Sequence, residues 1–342
     1  MIGVGVLGYG YWGPNLVRNF SEAPGCRVVA VSDMRAQRLE ALRGRYPAVR
    51  ATTDYREVVN APDVDAVAIA TPVSTHFDLG MAALRAGKHL LIEKPLAATS
   101  DEALELIGEA ERRKRVLLAE HTFIYTGAVR KIRELVADGG IGDVYYYDSV
   151  RVNLGLFQHD VNVIWDLAVH DLAIMDFILG KEAVAVSATG VSHLEGGPED
   201  IAYVTLFFED RLIAHVHVSW LAPVKVRRTL IGGNRKMIVY DDLEPSEKVK
   251  VYDKGITVTE SSDAAYQMRV GYRSGDMWAP RIDITEALSV MVRHFAQCIE
   301  QNQTPTTDGY AGLRVVRILE AATRSMADRG RVVELKPIGQ TI

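Results

Sequence analysis

Along the first third of the chain, short apolar runs alternate with stretches of helical spacing. IGVGVL (2–7), RVVAVS (27–32), AVAIAT (66–71), HLLIEK (89–94) and VLLAE (116–120) are short apolar runs, most of them rich in β-branched residues. A strand with no polar side is buried on both faces, which marks a parallel sheet covered by helices. The intervening stretches 12–21, 35–45, 75–87 and 100–114 have helical spacing. Ala86-Gly87-Lys88 reads as a glycine C-cap leading into a strand, and Thr99-Ser100-Asp101-Glu102 as a capped helix start with acids in its first turn. The pattern predicts a doubly wound α/β domain.

The remainder is patterned differently. Helices are expected at 127–138 and 163–179, with a strand at 144–153 between them. Strands then come in close succession at 183–193, 200–209, 211–221, 225–232, 236–241, 247–252 and 256–260. IAYVTLFF and RLIAHVHVSW, joined through Glu209-Asp210, predict an antiparallel hairpin. Helices at 284–301 and 309–328 close the chain, with Asp308-Gly309 as a cap. Strands clustered apart from helices predict an α+β domain on a large, mostly antiparallel open sheet. The change in pattern puts the boundary near 120–126, giving domains 1–122 and 123–342.

Composition narrows the function. At 342 residues, two domains are the first expectation, and a net charge of −5 argues against a nucleic-acid partner. RRKR at 112–115 reads as the wet end of a helix. No apolar run is long enough for a membrane span, and MIGVGVLGYG has no signal-peptide layout. The cysteines, Cys26 and Cys298, have no metal spacing and suit a reducing cytoplasm. His215 and His217 alternate on one strand face without a third ligand, so no metal site is expected. Tyr145-Tyr146-Tyr147 reads as strand core and rim.

Gly8-Tyr9-Gly10-Tyr11-Trp12-Gly13 follows an apolar strand and opens a helix. The first glycine permits a tight turn, the second admits a pyrophosphate to the backbone, and the third lets helix and strand pack closely. The helix N-terminus, where Tyr11 and Trp12 stand, then offers free N–H groups to phosphate. Asp33 ends the second strand at the distance where a carboxylate accepts hydrogen bonds from the adenosine ribose; its alternative use is as a helix cap. The acid favours NAD over NADP, although Arg35 and Arg38 nearby could rescue NADP binding.

Further residues carry a family resemblance. Glu93-Lys94-Pro95 ends one strand, Thr71-Pro72-Val73-Ser74-Thr75-His76 follows another, and Asp166-x-x-x-His170-Asp171 lies on a helix. With the glycine motif these resemble the Gfo/Idh/MocA oxidoreductases over essentially the whole chain. The resemblance implies a Rossmann domain holding the cofactor, with Thr71, Pro72, His76, Glu93 and Lys94 joining the glycine turn and Asp33. It also implies a substrate held over the nicotinamide, and a homodimer or homotetramer formed through the open sheet.

Chemistry points the same way. Ligands of open α/β sheets bind at the carboxyl ends of strands, where Thr71 and Lys94 fall. Removing hydride from a carbinol carbon requires its hydroxyl to lose a proton, and histidine is the natural base. An ammonium beside that oxygen stabilises developing alkoxide. Lys94 precedes proline on a stiff extended segment. Asp166 and His170, four apart, share a helix face that otherwise buries, where the bland alternative is a satisfied ion pair. The catalytic set is therefore His170 as base, Lys94 as alkoxide stabiliser and Asp166 as substrate ligand and orienter.

Arg151 and Asn153 share one strand face and precede Asp160, Asn162 and Trp165, a group suited to a polyhydroxylated or phosphorylated ligand; each also has the alternative of fastening a loop. GYWGPNLVRNF (10–20), HTFIY (121–125) and RVNLG (151–155) look most like the nucleotide-sugar branch, whose members oxidise the 3-hydroxyl of UDP-N-acetylglucosamine or its uronic acid. The chain departs from that branch at Ala119-Glu120, where Val-Gly is common, and at Thr126-Gly127, where Asn-Pro is common. Another polyol, inositol or keto-sugar oxidoreductase is the nearest alternative. An NAD-binding regulator without turnover is the alternative from a different class, and the intact Lys94, Asp166 and His170 speak against it.

Overall fold

A computed structural model of the protein describes residues 1–155, 161–258 and 270–336. In chain order the first elements are β1 (Ile2–Leu7), α1 (Gly13–Glu22), β2 (Cys26–Ser32), α2 (Ala36–Arg45), β3 (Arg50–Thr52), α3 (Tyr55–Val59), β4 (Ala66–Ile69), α4 (His76–Arg85), β5 (His89–Glu93), α5 (Ser100–Arg113) and β6 (Leu117–Glu120). Next come α6 (Gly127–Ala137), β7 (Val144–Leu154), α7 (Val169–Leu179), β8 (Ala185–Val191), β9 (Ile201–Phe207), β10 (Ile213–Ser219), β11 (Leu221–Gly233) and β12 (Met237–Asp241). The chain continues through β13 (Val249–Tyr252), β14 (Gly255–Val258), β15 (Val270–Arg273), β16 (Met277–Trp278), α8 (Ala287–Gln301), α9 (Gly309–Ala327) and β17 (Val333–Glu334).

The chain packs as two units, one of residues 1–126 with 285–320 and the other of residues 127–284 with 321–342. The first contains a parallel sheet in the order β3-β2-β1-β4-β5-β6. Its central strands are apolar on both sides: Val4, Val6, Val67, Ile69, Leu90 and Leu91 are all inaccessible to solvent. Consecutive burial explains why these segments carry no polar alternation. α4 ends as the sequence suggests. Gly87, at φ +77°, donates to the Leu84 carbonyl and Lys88 to that of Ala83, the paired bonds of a glycine-terminated helix. At α5 the Thr99 hydroxyl accepts from the Glu102 amide, and the Glu102 carboxylate accepts from Thr99 N–H in return. The short β3 and α3 are too brief to leave a periodicity; Asp54 caps α3 by accepting from Arg56 N–H at 2.9 Å.

The packing groups residues 123–126 and 285–320 with the first unit, where the sequence pattern puts 123–342 together. Residues 285–320 join the first unit because α8 is amphipathic and its apolar side faces α1. Phe295 meets Phe20 edge to face at a centroid separation of 6.3 Å, both rings being buried. Glu286 beside them takes the Arg18 guanidinium, at 2.5 Å for the closer contact. Helical periodicity reveals that a helix buries one side, not which sheet it lies against.

The second unit is built on a sheet ordered β16-β13-β12-β11-β7-β10-β9-β8-β17, antiparallel except for the β7/β10 pairing, with β14 and β15 pairing separately. The expected hairpin forms, with Phe207 opposite Ile213 and Ile201 opposite Ser219. Ala202, Val204, Leu206, Ala214, Val216 and Val218 point into the core, while Tyr203, His215 and His217 stand on the opposite face. There Tyr203 stacks on His217 at 4.4 Å and on His215 at 6.0 Å. Among the described residues no three His, Cys, Asp or Glu side chains group as a metal site, and no helix is long and apolar enough to cross a membrane. The strand expected at 256–260 is seen as β14 through Val258, its last two residues lying outside the described residues.

Two measurements probe this packing. Phe295→Ala removes a buried ring from the α1–α8 contact and is expected to cost about 3–5 kcal/mol, read as a lower denaturation midpoint; an unchanged midpoint would detach α8 from the first unit. His89 and His121 are held neutral by burial, with nearby cations adding to the effect, and their pKa values fall to about 4. Because the folded values lie below the free one, the stability they confer is present above about pH 6.5 and lost as pH falls through about 4. The unfolding midpoint should drop across that window, and less steeply in His121→Phe.

Candidate cofactor and catalytic site

A parallel sheet whose faces are apolar leaves its strand ends as the place for polar chemistry. The chain reverses its order between β1 and β4, and the residues singled out in the first unit lie at the carboxyl ends of these strands and their neighbours. Gly8 has φ +92°, and a Cβ there would lie 2.5 Å from the Ala70 carbonyl oxygen. At Gly13 a Cβ would sit 2.1 Å from the Gly8 carbonyl oxygen, so the start of α1 rests directly on the turn. Both positions require glycine, and the arrangement brings the α1 N-terminus to the end of β1, a geometry that fits a pyrophosphate. Tyr11 is exposed on this turn and Trp12 half-buried.

Asp33, 7% exposed, is held from two directions. Its Oδ2 accepts from Tyr9 N–H at 2.8 Å and its Oδ1 from Arg35 N–H at 2.9 Å. Burial works to raise its pKa, but these amides and the Arg35 guanidinium outweigh it and hold the carboxyl below the usual range. Asp33 therefore stands ionised beside the glycine turn. Arg38 Nη1 lies 3.9 Å from the same carboxylate and would meet a Cβ on Gly10 at 2.6 Å, so a guanidinium borders the turn as well. This set of groups fits a dinucleotide: close backbone approach for the pyrophosphate and an anion for ribose hydroxyls.

At the next strand ends, Thr71 Oγ1 lies 2.7 Å from Thr75 Oγ1. His76 is fully buried, with Nε2 2.9 Å from the Thr71 carbonyl and Nδ1 2.9 Å from that of Pro95. Burial lowers its pKa, with the Lys94 charge adding to the effect. Expected to touch the cofactor, His76 instead sits between the loop after β4 and the segment after β5, its single ring N–H donating to one of the two carbonyls, and none of the ring reaches solvent. Pro72 is exposed, Glu93 and Lys94 are half-buried, and the Lys94–Pro95 peptide is cis.

Motif and spacing assign no role to Glu120. It ends β6 directly opposite Glu93 of β5 and is 2% exposed. Its Oε1 accepts from Trp12 Nε1, across from the glycine turn, and from Thr122 Oγ1 at 3.1 Å. Burial and then the Glu93 carboxylate push its pKa well above the carboxylate range, against the pull of Trp12, Thr122 and Lys94. An acid closing a run as apolar as VLLAE, at a position where the resembling branch commonly has glycine, is the sequence signal that points to it.

In the second unit the residues around Asp166 form a separate group. Ile164–Ala168 is a π-helical turn leading into α7, so the spacing of Asp166 and His170 is not that of a regular helix face. Asp166 Oδ2 accepts from the Nε1 of the fully buried Trp220 at 2.9 Å. Trp165 donates to Thr323 Oγ1 at 3.0 Å, and Asn162 to Glu199 Oε2 at 3.0 Å. Asp166, His170, Trp165 and Asn153 are half-buried. Arg151, expected to face a ligand, is 3% exposed; its Nε donates to Asp171 Oδ2 at 2.5 Å and its Nη2 to Oδ1 at 3.3 Å. Ser149 donates to the same carboxylate at 2.7 Å. A guanidinium matched to a carboxylate in the core fastens β7 to α7, the helix that carries His170. Asp160 lies outside the described residues.

Comparison with known proteins agrees with this layout. Residues 2–121 match the model of an oxidoreductase family with an NAD-binding Rossmann fold, and residues 129–239 that of the GFO/IDH/MocA C-terminal domain. The UDP-N-acetylglucosamine 3-dehydrogenase of Acidithiobacillus ferrooxidans is 30% identical over 74% of this chain and 76% of its own. The myo-inositol 2-dehydrogenase of Thermotoga maritima is 24% identical over 98% of this chain and 99% of its own. The crystal structure of GenD2 from gentamicin A biosynthesis, solved in complex with NAD, superimposes with a TM-score of 0.82 at 25% identity, covering 98% of this chain and 97% of that one. The glycine turn with its paired acid, the strand order and these relatives together make the chain a member of the GFO/IDH/MocA oxidoreductase family, an NAD-binding enzyme acting on hydroxyl groups.

Proposed function

We propose that the protein oxidises a secondary hydroxyl of a sugar, with His170 taking the hydroxyl proton and Lys94 stabilising the oxygen that is left. The observation that carries this reading is the placement of the E-K-P segment at the end of β5, in the same sheet as a glycine turn that fits a dinucleotide. NAD, when bound, accepts the hydride from the carbinol carbon. The chain supplies the rest. Gly8, Gly10 and Gly13 admit the pyrophosphate, and Asp33 accepts from the ribose hydroxyls. Thr71, Pro72 and Glu93 border the nicotinamide half. As the hydroxyl proton passes to the His170 imidazole, negative charge grows on oxygen, and the Lys94 ammonium offsets it. Asp166, anchored by Trp220, orients the substrate and the base, and Asn153, Asn162 and Trp165 contribute to the sugar surface.

The finer substrate reading is a nucleotide sugar oxidised at its 3-hydroxyl. It is supported by the Acidithiobacillus relative and by the GYWGPNLVRNF and HTFIY stretches. An inositol or related polyol is the second reading, favoured by relatives such as the Thermotoga enzyme that align over nearly the whole chain. The exposed sheet face bearing Tyr203 and Ile213 serves self-association in this reading. The free, buried Cys26 and Cys298 suit a reducing cytoplasm.

Incubation with NAD and a panel of UDP-sugars and inositols, with absorbance of the reduced cofactor as the readout, tests the substrate; a keto-acid acceptor guards against cofactor that copurifies. Lys94→Ala and His170→Ala should each lower kcat by about 10²–10⁴-fold. Near-full turnover in both variants on the true substrate would remove the assignment. Asp33→Ala should raise the KM for NAD about tenfold or more while leaving kcat within a few-fold, since the lost contact is made equally in ground and transition states.

A further inference from the structure

Glu120 and His121 are adjacent buried titratable residues at the end of β6 that the proposed reaction does not use. Both are 2% exposed. Glu120 accepts two hydrogen bonds, both on Oε1, while its Oε2 and both ring nitrogens of His121 have no hydrogen-bond partner among the described residues. A buried carboxylate normally gathers donors on both oxygens. With no donor on Oε2, the ionised form of Glu120 gains hydrogen bonds on one oxygen only, and burial therefore weighs against its charge. The position reinforces this. Glu93 and Glu120 are register partners on adjacent parallel strands, so their side chains leave the same side of the sheet about 5 Å apart at Cα. A carboxylate beside the buried Glu120 disfavours a second negative charge there.

The groups around Glu120 account for the charge. Trp12 from the glycine turn and Thr122 from its own segment donate to it; Glu93 at the end of β5 and Lys94 just beyond it act on it electrostatically. His121 next in chain is acted on by Lys94 and by Arg314 of α9, and burial with these two cations keeps it neutral. We propose that Glu120 is a positioning residue that stands as a neutral carboxylic acid beneath the strand ends, so that the Lys94 ammonium is not cancelled by a second carboxylate and keeps its charge for the substrate oxygen. The proposal rests on the hydride-transfer reading of Lys94. In it, Trp12 reports the state of Glu120 directly, because its indole N–H is spent on that carboxyl.

The test uses the full-length protein. Infrared difference spectra of wild type minus Glu120→Gln at neutral pH should contain the carbonyl stretch of one protonated carboxyl, and its absence would overturn the proposal whatever the enzyme turns over. On the substrate found with the panel, Glu120→Gln should keep kcat/KM within about threefold at neutral pH, since the amide is also neutral. As pH rises and Glu120 ionises in the wild type, the ratio of variant to wild type should climb about tenfold. A tenfold loss at neutral pH, or a flat ratio, would overturn it. Should Glu120→Gln fail to fold, fluorescence titration decides: the difference between wild type and Trp12→Phe is expected to step above neutrality, and a step confined to acid pH would refute a neutral Glu120. Because the infrared and fluorescence measurements need no substrate, they stand if the hydride-transfer reading falls.

Discussion

The constraint on which the first unit depends is that a sheet buried on both faces has no place for a polar side chain except at its strand ends. Val4, Val6, Val67, Ile69 and Leu90 exclude water from the middle of the sheet, and each buried apolar side chain contributes about 1.5–3 kcal/mol. Everything chemical is thereby pushed to one edge, where Asp33, Thr71, Glu93, Lys94 and Glu120 gather. The same dryness makes the edge effective. Charges there are weakly screened, so a carboxylate such as Asp33 is held in place by amides, and a carboxyl pair such as Glu93 and Glu120 feels its neighbour strongly.

Much of this was legible in the sequence because it depends on local rules. The apolar runs marked the strands, Gly87 and Thr99 the helix ends, and the glycine spacing the tight turn between β1 and α1. The stacking of Gly13 on the Gly8 carbonyl is a case in which one missing side chain is both a sequence letter and a structural necessity. What stayed hidden was decided by contacts between distant residues. Nothing in the spacing of α8 says that Phe295 packs on Phe20. The same holds for Glu120, whose partner Trp12 is 108 residues away. The π-helical turn at Ile164–Ala168 is likewise invisible to a pattern that assumes a regular period.

Arg151 shows how an arginine read as a ligand becomes structure. Strand alternation correctly put it on one face of β7, but that face is the buried one, and there its charge is matched by Asp171 with Ser149 completing the carboxylate. Replacing one partner of such a pair strands the other in the core, which is costlier than the pair is worth. Its value to the enzyme is therefore geometric: it fixes α7 on the sheet one residue from His170.

That fixing bears on why the segment before α7 is wound as a π turn. A π turn inserts a residue into the helical path and rotates the residues before it relative to those after it. Asp166 lies inside that irregularity and His170 beyond it, with Asp166 fastened through Trp220 and α7 through Arg151. Two independent anchors, one in the turn and one past it, hold it against relaxation to an ordinary helix, which would swing the carboxylate away from its present direction. Side chains that act together need aim more than proximity along the chain, and the irregular turn with its two fastenings fixes the directions of Asp166 and His170.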